Sequence, residues 1–409
     1  KLQNENMIVV NSGIEVTLLD SGEGGKIEGS GSWSAVESMG TLNIQGGRIE
    51  STNHSAVVVD GNSVLNMTGG EIVTTGSLRA YGIATADDSS GTAGTRRVIN
   101  ISGGTINSAS SCIYNSRGDT TTCTITGGTF SKNVSTYVPD GNKIVQEADG
   151  TYSVGIDTEN AVAQIGTRGF TSLTDAIAAA NSGDTVMLLK EIESTDHVRV
   201  SKGITLDLNG QTLKISNDKR FVVSGTDNVT ITSSLGGGKI TGAVVVQVGT
   251  SQDSGKLTIE DNAAIEGATA GILVCANSEL TVNGGEISGT WYGVLGNGQY
   301  DNTKITITGG TIKATNNAIY HPQVGDLTIT GGVIEGTSGV QYCGAGKLTI
   351  SGGTINATGA YTEYPTKPVE QGDGSASDGA AVAIISRGAG YQDGDQKMVV
   401  SITGGNLTS

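Results

Sequence analysis

ITITGGTI (residues 305–312) returns throughout the chain with small changes. It reads LNIQGGRI, LNMTGGEI, INISGGTI, CTITGGTF, LTVNGGEI, LTITGGVI and LTISGGTI elsewhere, and a partial copy, SITGG, stands at 401–405. The glycine pairs begin at Gly46, Gly69, Gly103, Gly127, Gly284, Gly309, Gly331, Gly352 and Gly404. Apart from the break between Gly127 and Gly284, most gaps are 21 to 25 residues, with longer ones of 34 (Gly69 to Gly103) and 52 (Gly352 to Gly404). A fixed period in this range marks a solenoid, in which each coil is stabilised by burying its apolar edge against the next.

Within the phrase the apolar residues alternate, as in Leu42/Ile44, Leu65/Met67, Ile305/Ile307 and Leu348/Ile350. Period-two alternation places them on one face of a strand and the Thr, Ser and Asn between them on the other. The glycine pair then turns the chain, with a positive φ expected there, and the next apolar residue (Ile49, Ile72, Ile106, Phe130, Ile287, Ile312, Ile334, Ile355) points back inward. A second short strand precedes each phrase: SAVES, SAVVV, YGIAT, SCIYN, AGILV, YGVLG, NAIYH, SGVQY and AAVAI. In register these give a column of small residues (Ala35, Ala56, Gly82, Cys112, Gly271, Gly293, Ala318, Gly339, Ala381). Beside it runs a β-branched column from Val36 and Val57 to Val382. A third column, Glu37, Val58, Ala84, Tyr114, Leu273, Leu295, Tyr320, Gln341 and Ala383, is expected to face outward and to suit shallow stacking of sugar rings. About 22 residues with three short strands per coil predict an all-β fold, a right-handed single-stranded parallel β-helix. Leucine-rich repeats share the period, but their LxxLxLxxN pattern is absent. The GG pairs are scaffold and not phosphate loops: the nearest approach to a P-loop, GGGKI (236–240), lacks the Ser/Thr after Lys.

One segment interrupts the rhythm. Residues 134–170 lack the phrase and read as a linker or cap. TSLTDAIAAANSGD (171–184) then predicts a short helix capped by Thr171 or Ser172, with Leu173, Ala176, Ile177 and Ala180 on one apolar face. Three regions are therefore expected: a first β-helix over 1–133 that is truncated at its start, the linker or cap over 134–170, and a second β-helix over 171–409 with an N-terminal capping helix and two long loop insertions.

The formal charge of −16, from 24 Lys and Arg against 40 Asp and Glu, disfavours nucleic acid and anionic membranes as partners. No apolar run is long enough to span a membrane. The first residues, KLQNENMIVV, already read as strand and not as a leader peptide. Further domains of the same polypeptide are expected on either side, and the segment itself is expected to be a monomer.

The whole chain resembles the pectin-lyase-like β-helix regions of large surface proteins of gut Gram-positive bacteria. The resemblance rests on the TITGGTI coils, on FSKNVSTYVPDGNKIVQEADGTYSV (130–154), and on FTSLTDAIAAANSGDTVMLLKEI with SKGITLDLNGQTL. It implies an extracellular location, at the cell surface or secreted. It also implies the role of an adhesin, carbohydrate-binding or stalk module, with a glycan or host surface glycoprotein as partner. The alternative is a glycan-active enzyme, a glycoside hydrolase or polysaccharide lyase, using carboxylates from the 359–397 loops. The enzymes of this fold use clustered aspartates with Ca²⁺ and a basic residue, or paired aspartates on adjacent strands, and the repeated strands carry neither pattern.

Insertions in a solenoid become loops on one side, and such loops bind. TADDSSGTAGTRR (85–97) supplies Asp87, Asp88, Arg96 and Arg97. Residues 359–397 supply Tyr361, Glu363, Tyr364, Asp373, Tyr391, Asp393 and Asp395, and these, with Tyr320, are the candidate ligand-binding residues. No cofactor is expected beyond a weak case for Ca²⁺ at such carboxylates, and YQDGDQ lacks the rest of an EF-hand. The four cysteines and three histidines show no metal-ligand spacing, so no metal site and no catalytic residue is expected from them. Cys112 and Cys123 are expected to lie inward as free thiols, and His321 to be structural or exposed.

Overall fold

The computed structural model describes residues 6–22, 24–76, 79–86, 96–115, 121–360, 379–385 and 398–409. The chain divides into two compact units, Lys1–Thr171 and Ser172–Ser409. Among the described residues nearly all regular structure is strand, with one α-helix, Leu173–Ala179, and one 3-10 turn, Ser135–Tyr137. The fold is a stacked-coil parallel β-solenoid.

In the first unit each coil contributes one strand to each of three parallel stacks. The first stack runs Ile8–Val10, Val36–Ser38, Val57–Val59, Ile83–Thr85 and Ile113–Tyr114. The second carries the repeated phrase, from Glu15–Leu18 through Thr41–Ile44 and Val64–Met67 to the long strands Arg97–Ser108 and Thr121–Phe130. The third follows the glycine corner, from Lys26–Gly29 through Arg48–Ser51 and Glu71–Thr74 to the far halves of the same long strands. Leu42 pairs with Leu65, Leu65 with Ile99, and Ile99 with Cys123. In the second unit Leu280, Ile305, Leu327 and Leu348 align in the same way, beside Val282, Ile307, Ile329 and Ile350. Almost every member of these columns is fully buried, each contributing about 1.5–3 kcal/mol by leaving water. The outer faces are laddered as well. Asn66 donates to Asn43 and Asn100 donates to Asn66, each at 2.9 Å, so the outward polar residues hold the same register as the inward apolar ones.

The two glycines of the phrase have different jobs. The second takes the left-handed conformation, with φ of +73° at Gly310 and +82° at Gly332, where any Cβ is penalised. The first has an ordinary φ but lies against the coil above. A Cβ on Gly331 would sit 2.1 Å from the carbonyl oxygen of Thr308. One glycine turns the chain and the other lets two coils approach.

The residues read as a linker or cap build structure within the first unit. Asn142–Gln146 pairs antiparallel with Tyr152–Ile156, which pairs antiparallel with the last phrase strand, Thr121–Phe130. This hairpin covers an edge that would otherwise expose unpaired backbone, and Val134 and Val154 are buried in the first core with Phe130. Asn142 pins it, donating to the carbonyls of Thr126 (3.0 Å) and Thr167 (2.8 Å) and accepting from the Gly169 amide.

The helix forms where the apolar spacing predicts it. Ser172 is the N-cap, accepting from the Asp175 amide, and Leu173, Ala176, Ile177 and Ala180 are buried. At its end Lys202 Nζ donates to the carbonyls of Ala178 and Ala180, a cation satisfying orphan carbonyls at the negative end of the helix.

The second core contains a polar layer that alternation does not reveal. His321 is inward and fully buried, stacked on Tyr342 with ring centroids 4.8 Å apart. Tyr342 satisfies its hydroxyl on the Gly325 carbonyl at 3.0 Å. Among the described residues neither ring nitrogen of His321 reaches a partner beyond its own backbone, and burial pushes its pKa down to about 4. Gln323, also fully buried, lies over Gly296, where a Cβ would fall 1.7 Å from Gln323 Oε1.

Candidate functional site

The outward column expected from the sequence is observed: Glu37 pairs with Val58, Val58 with Ala84, and Ala84 with Tyr114. In the first unit it floors a groove of about 490 Å³. Three coil steps of ~4.8 Å separate its ends, roughly 14 Å, room for a short oligosaccharide lying along the stack. One side of the groove is built from the corner residues that precede each strand: Trp33, His54, Arg79 and Tyr81. They lie on successive coils, so the stacking brings together side chains about 25 positions apart in sequence.

Trp33 is 54% exposed and Tyr114 37% exposed. Tyr81 stacks flat on Tyr114, ring centroids 4.2 Å apart and 6° from parallel. Such rings offer apolar faces for the C–H side of a sugar and polar edges for its hydroxyls. Glu37 accepts from Asn6 Nδ2, and Ser34 donates to Asn6 Oδ1 at 2.8 Å, so one end of the groove is an ordered polar network. Arg79 is exposed, with φ of +59°, and no carboxylate pairs with its guanidinium among the described residues. In a chain of net charge −16 an unpaired arginine is a local anion site. His54 lies between strands with its Nδ1 buried and unpartnered among the described residues. Burial, and then the Arg79 charge, push its pKa below the usual imidazole value, so at neutral pH the ring is uncharged. Among the described residues Glu37 is the one carboxylate lining the groove, whereas hydrolysis by the usual route uses a pair.

The candidates drawn from the sequence fall differently. Tyr361, Glu363, Tyr364, Asp373, Tyr391, Asp393 and Asp395 lie outside the described residues, as do Asp87 and Asp88. Tyr320 does occupy the outward column, paired with Leu295 and Gln341, yet only 5% of it is exposed. It packs with Cys343, Ala383 and Ile385 and stacks on Tyr292. Its ring is covered by protein where an open stacking face was expected. Arg97 is fully buried, with its guanidinium on Asp60 at 3.0 Å. It therefore anchors the start of a strand and is unavailable to a ligand.

None of the four cysteines is joined in a disulfide. Cys112 is buried and Cys123 half-buried against the first core, and burial pushes the Cys123 thiol up to about 12. At neutral pH it is a thiol without nucleophilic character. Among the described residues no three His, Cys, Asp or Glu side chains converge as a metal site.

Sequence reasoning reached Glu37, Val58, Ala84 and Tyr114, but only as a mildly apolar strip. It missed Trp33, His54, Arg79 and Tyr81, which sit at corners outside the alternating strands. The available signal was positional: SWSAV and RAYGI place an aromatic one or two residues before the small-residue column. The molecule is thus a parallel β-solenoid with an aromatic-lined groove on the outer wall of its first unit. No protein-family model, no curated protein and no solved structure matches the chain.

Proposed function

We propose that the chain is a carbohydrate-binding β-helical module of an extracellular bacterial surface protein, acting as an adhesin or display region. In this reading the first unit holds a glycan chain in the Trp33–Tyr114 groove. The observation that carries it is the groove itself: a half-exposed tryptophan and a flat tyrosine pair beside an exposed arginine with no carboxylate partner among the described residues. Aromatic rings supply affinity for sugar faces, and Arg79 favours a sugar bearing a carboxylate. The surface location and the glycan partner follow from the resemblance of the TITGGTI coils and the 130–154 segment to bacterial surface proteins.

Isothermal titration with two linear probes, hexagalacturonate and cellohexaose, tests the reading. Saturable binding is expected, stronger for the acidic probe. Trp33→Ala should weaken it at least about tenfold, ~1.4 kcal/mol, without lowering the thermal midpoint, because the indole is half in solvent. Arg79→Ala should remove the preference for hexagalacturonate. Absence of binding to both probes, or affinity indifferent to Trp33, would contradict the assignment.

A further inference from the structure

The chain has two tryptophans, and they occupy one and the same place in the coil. Trp33 stands two residues before Ala35, and Trp291 two residues before Gly293, both members of the small-residue column. They are 54% and 47% exposed. In a chain whose aromatic content is 4%, two indoles half in water recur at one structural position.

The tyrosines repeat as well. Tyr81 stands one residue before Gly82 and stacks on Tyr114, which lies two residues after Cys112 on the next coil. Tyr292 stands one residue before Gly293 and stacks on Tyr320, two residues after Ala318 on the next coil. The ring centroids are 4.2 Å apart in the first pair and 5.5 Å in the second. The second unit thus carries the aromatic constellation of the first, with the tryptophan moved onto the coil of the leading tyrosine. What differs is access. Tyr320 is covered, so the open aromatic surface there is Trp291 with the half-buried Tyr292. The corner leading into Trp291 forms an open notch of about 410 Å³, with Ser288, Thr290, Lys313 and Thr315 among its walls. Lys313 is held by Glu286 at 3.5 Å, leaving its other donors to solvent. Thr290, in the wall of this notch, is the chain neighbour of Trp291, and hydroxyls with an ammonium suit the hydroxyl groups of a pyranose.

We infer that Trp291 is the platform of a second carbohydrate site, which makes the chain bivalent for glycan. The inference rests on the groove of the first unit being a glycan site and adds to it. Two modest sites on one chain bind a polymer far more tightly than either alone, because the second contact is intramolecular. This would convert weak sugar stacking into firm attachment to a polymeric surface without any new contact.

Titration of the intact chain with hexagalacturonate and cellohexaose decides it, read on whichever probe gives the stronger saturable signal. Two sites per chain are expected, falling to one in Trp291→Ala, one in Trp33→Ala and none in the double variant. Thr290→Glu, which sets a carboxylate in the wall of the notch and leaves Trp291 in place, should remove the same site as Trp291→Ala and guards against loss by misfolding. On immobilised polygalacturonate or cellulose, the intact chain should dissociate at least about a hundredfold more slowly than either single variant. One site per chain, lost in Trp33→Ala and intact in both Trp291→Ala and Thr290→Glu, overturns the second site and leaves the groove standing. No binding of either probe overturns both.

Discussion

Between pH 6.5 and pH 4 the second unit is expected to lose about 3 kcal/mol of stability through His321 alone. The folded pKa of this histidine is about 4 against an ordinary 6.5, because burial disfavours the cation and outweighs the one backbone hydrogen bond that favours it. The unfolded chain therefore binds this proton first as the pH falls. Stability contributed by keeping the ring neutral is complete above 6.5, declines through the window and levels off below about 4. At ~1.4 kcal/mol per pH unit the window gives the figure above. His321→Leu, close in volume and without the two unpartnered nitrogens, should be at least as stable at pH 7 and visibly flatter in acid. Urea unfolding followed by Trp291 fluorescence in a Trp33→Phe background reads the second unit directly. Carboxylates titrate in the same range, so the difference between the two proteins carries the test. Identical pH profiles would place the ring in water or against an unrecognised partner.

Gly332→Val should be the other large effect. The residue has φ of +82°, and a Cβ there would lie 2.7 Å from the Gly309 carbonyl oxygen. Left-handed strain in a β-branched residue costs about 1–3 kcal/mol, and forcing two coils apart about as much again, so ~2–6 kcal/mol is expected. Thr328→Val in the same phrase should change stability by less than about 0.5 kcal/mol, since Thr328 faces outward and is half exposed. Thermal unfolding by circular dichroism distinguishes the two. Equal effects would mean that the phrase recurs for a reason other than stacking geometry.

That contrast shows how much a repeated sequence reveals. The inward columns were legible because Leu42, Leu65 and Ile99, or Ile305, Leu327 and Leu348, recur at a fixed place in an alternating strand, and alternation alone assigns the face. The helix was legible because Ser172 precedes a 3.6-period apolar stripe. The division of labour between the glycines was not, because the first is required by an approach of the neighbouring coil that no single copy encodes. His321 and Tyr342 were hidden for a related reason: a polar residue at an inward position reads as a break in the pattern until its stacking partner is seen. Tyr320 was placed in the right column, but sequence does not register what covers a side chain. The groove eluded the sequence most completely, because its aromatic and basic residues sit at corners of different coils and only the stack assembles them.

Whether the Trp33–Tyr114 groove holds a glycan is decided by making Trp33 the sole tryptophan. In a Trp291→Phe chain, titration with hexagalacturonate and cellohexaose should produce a saturable shift of the indole emission to shorter wavelength, as a sugar ring displaces water from its face. Trp33 emission that stays unchanged through millimolar concentrations of both hexasaccharides would contradict the claim.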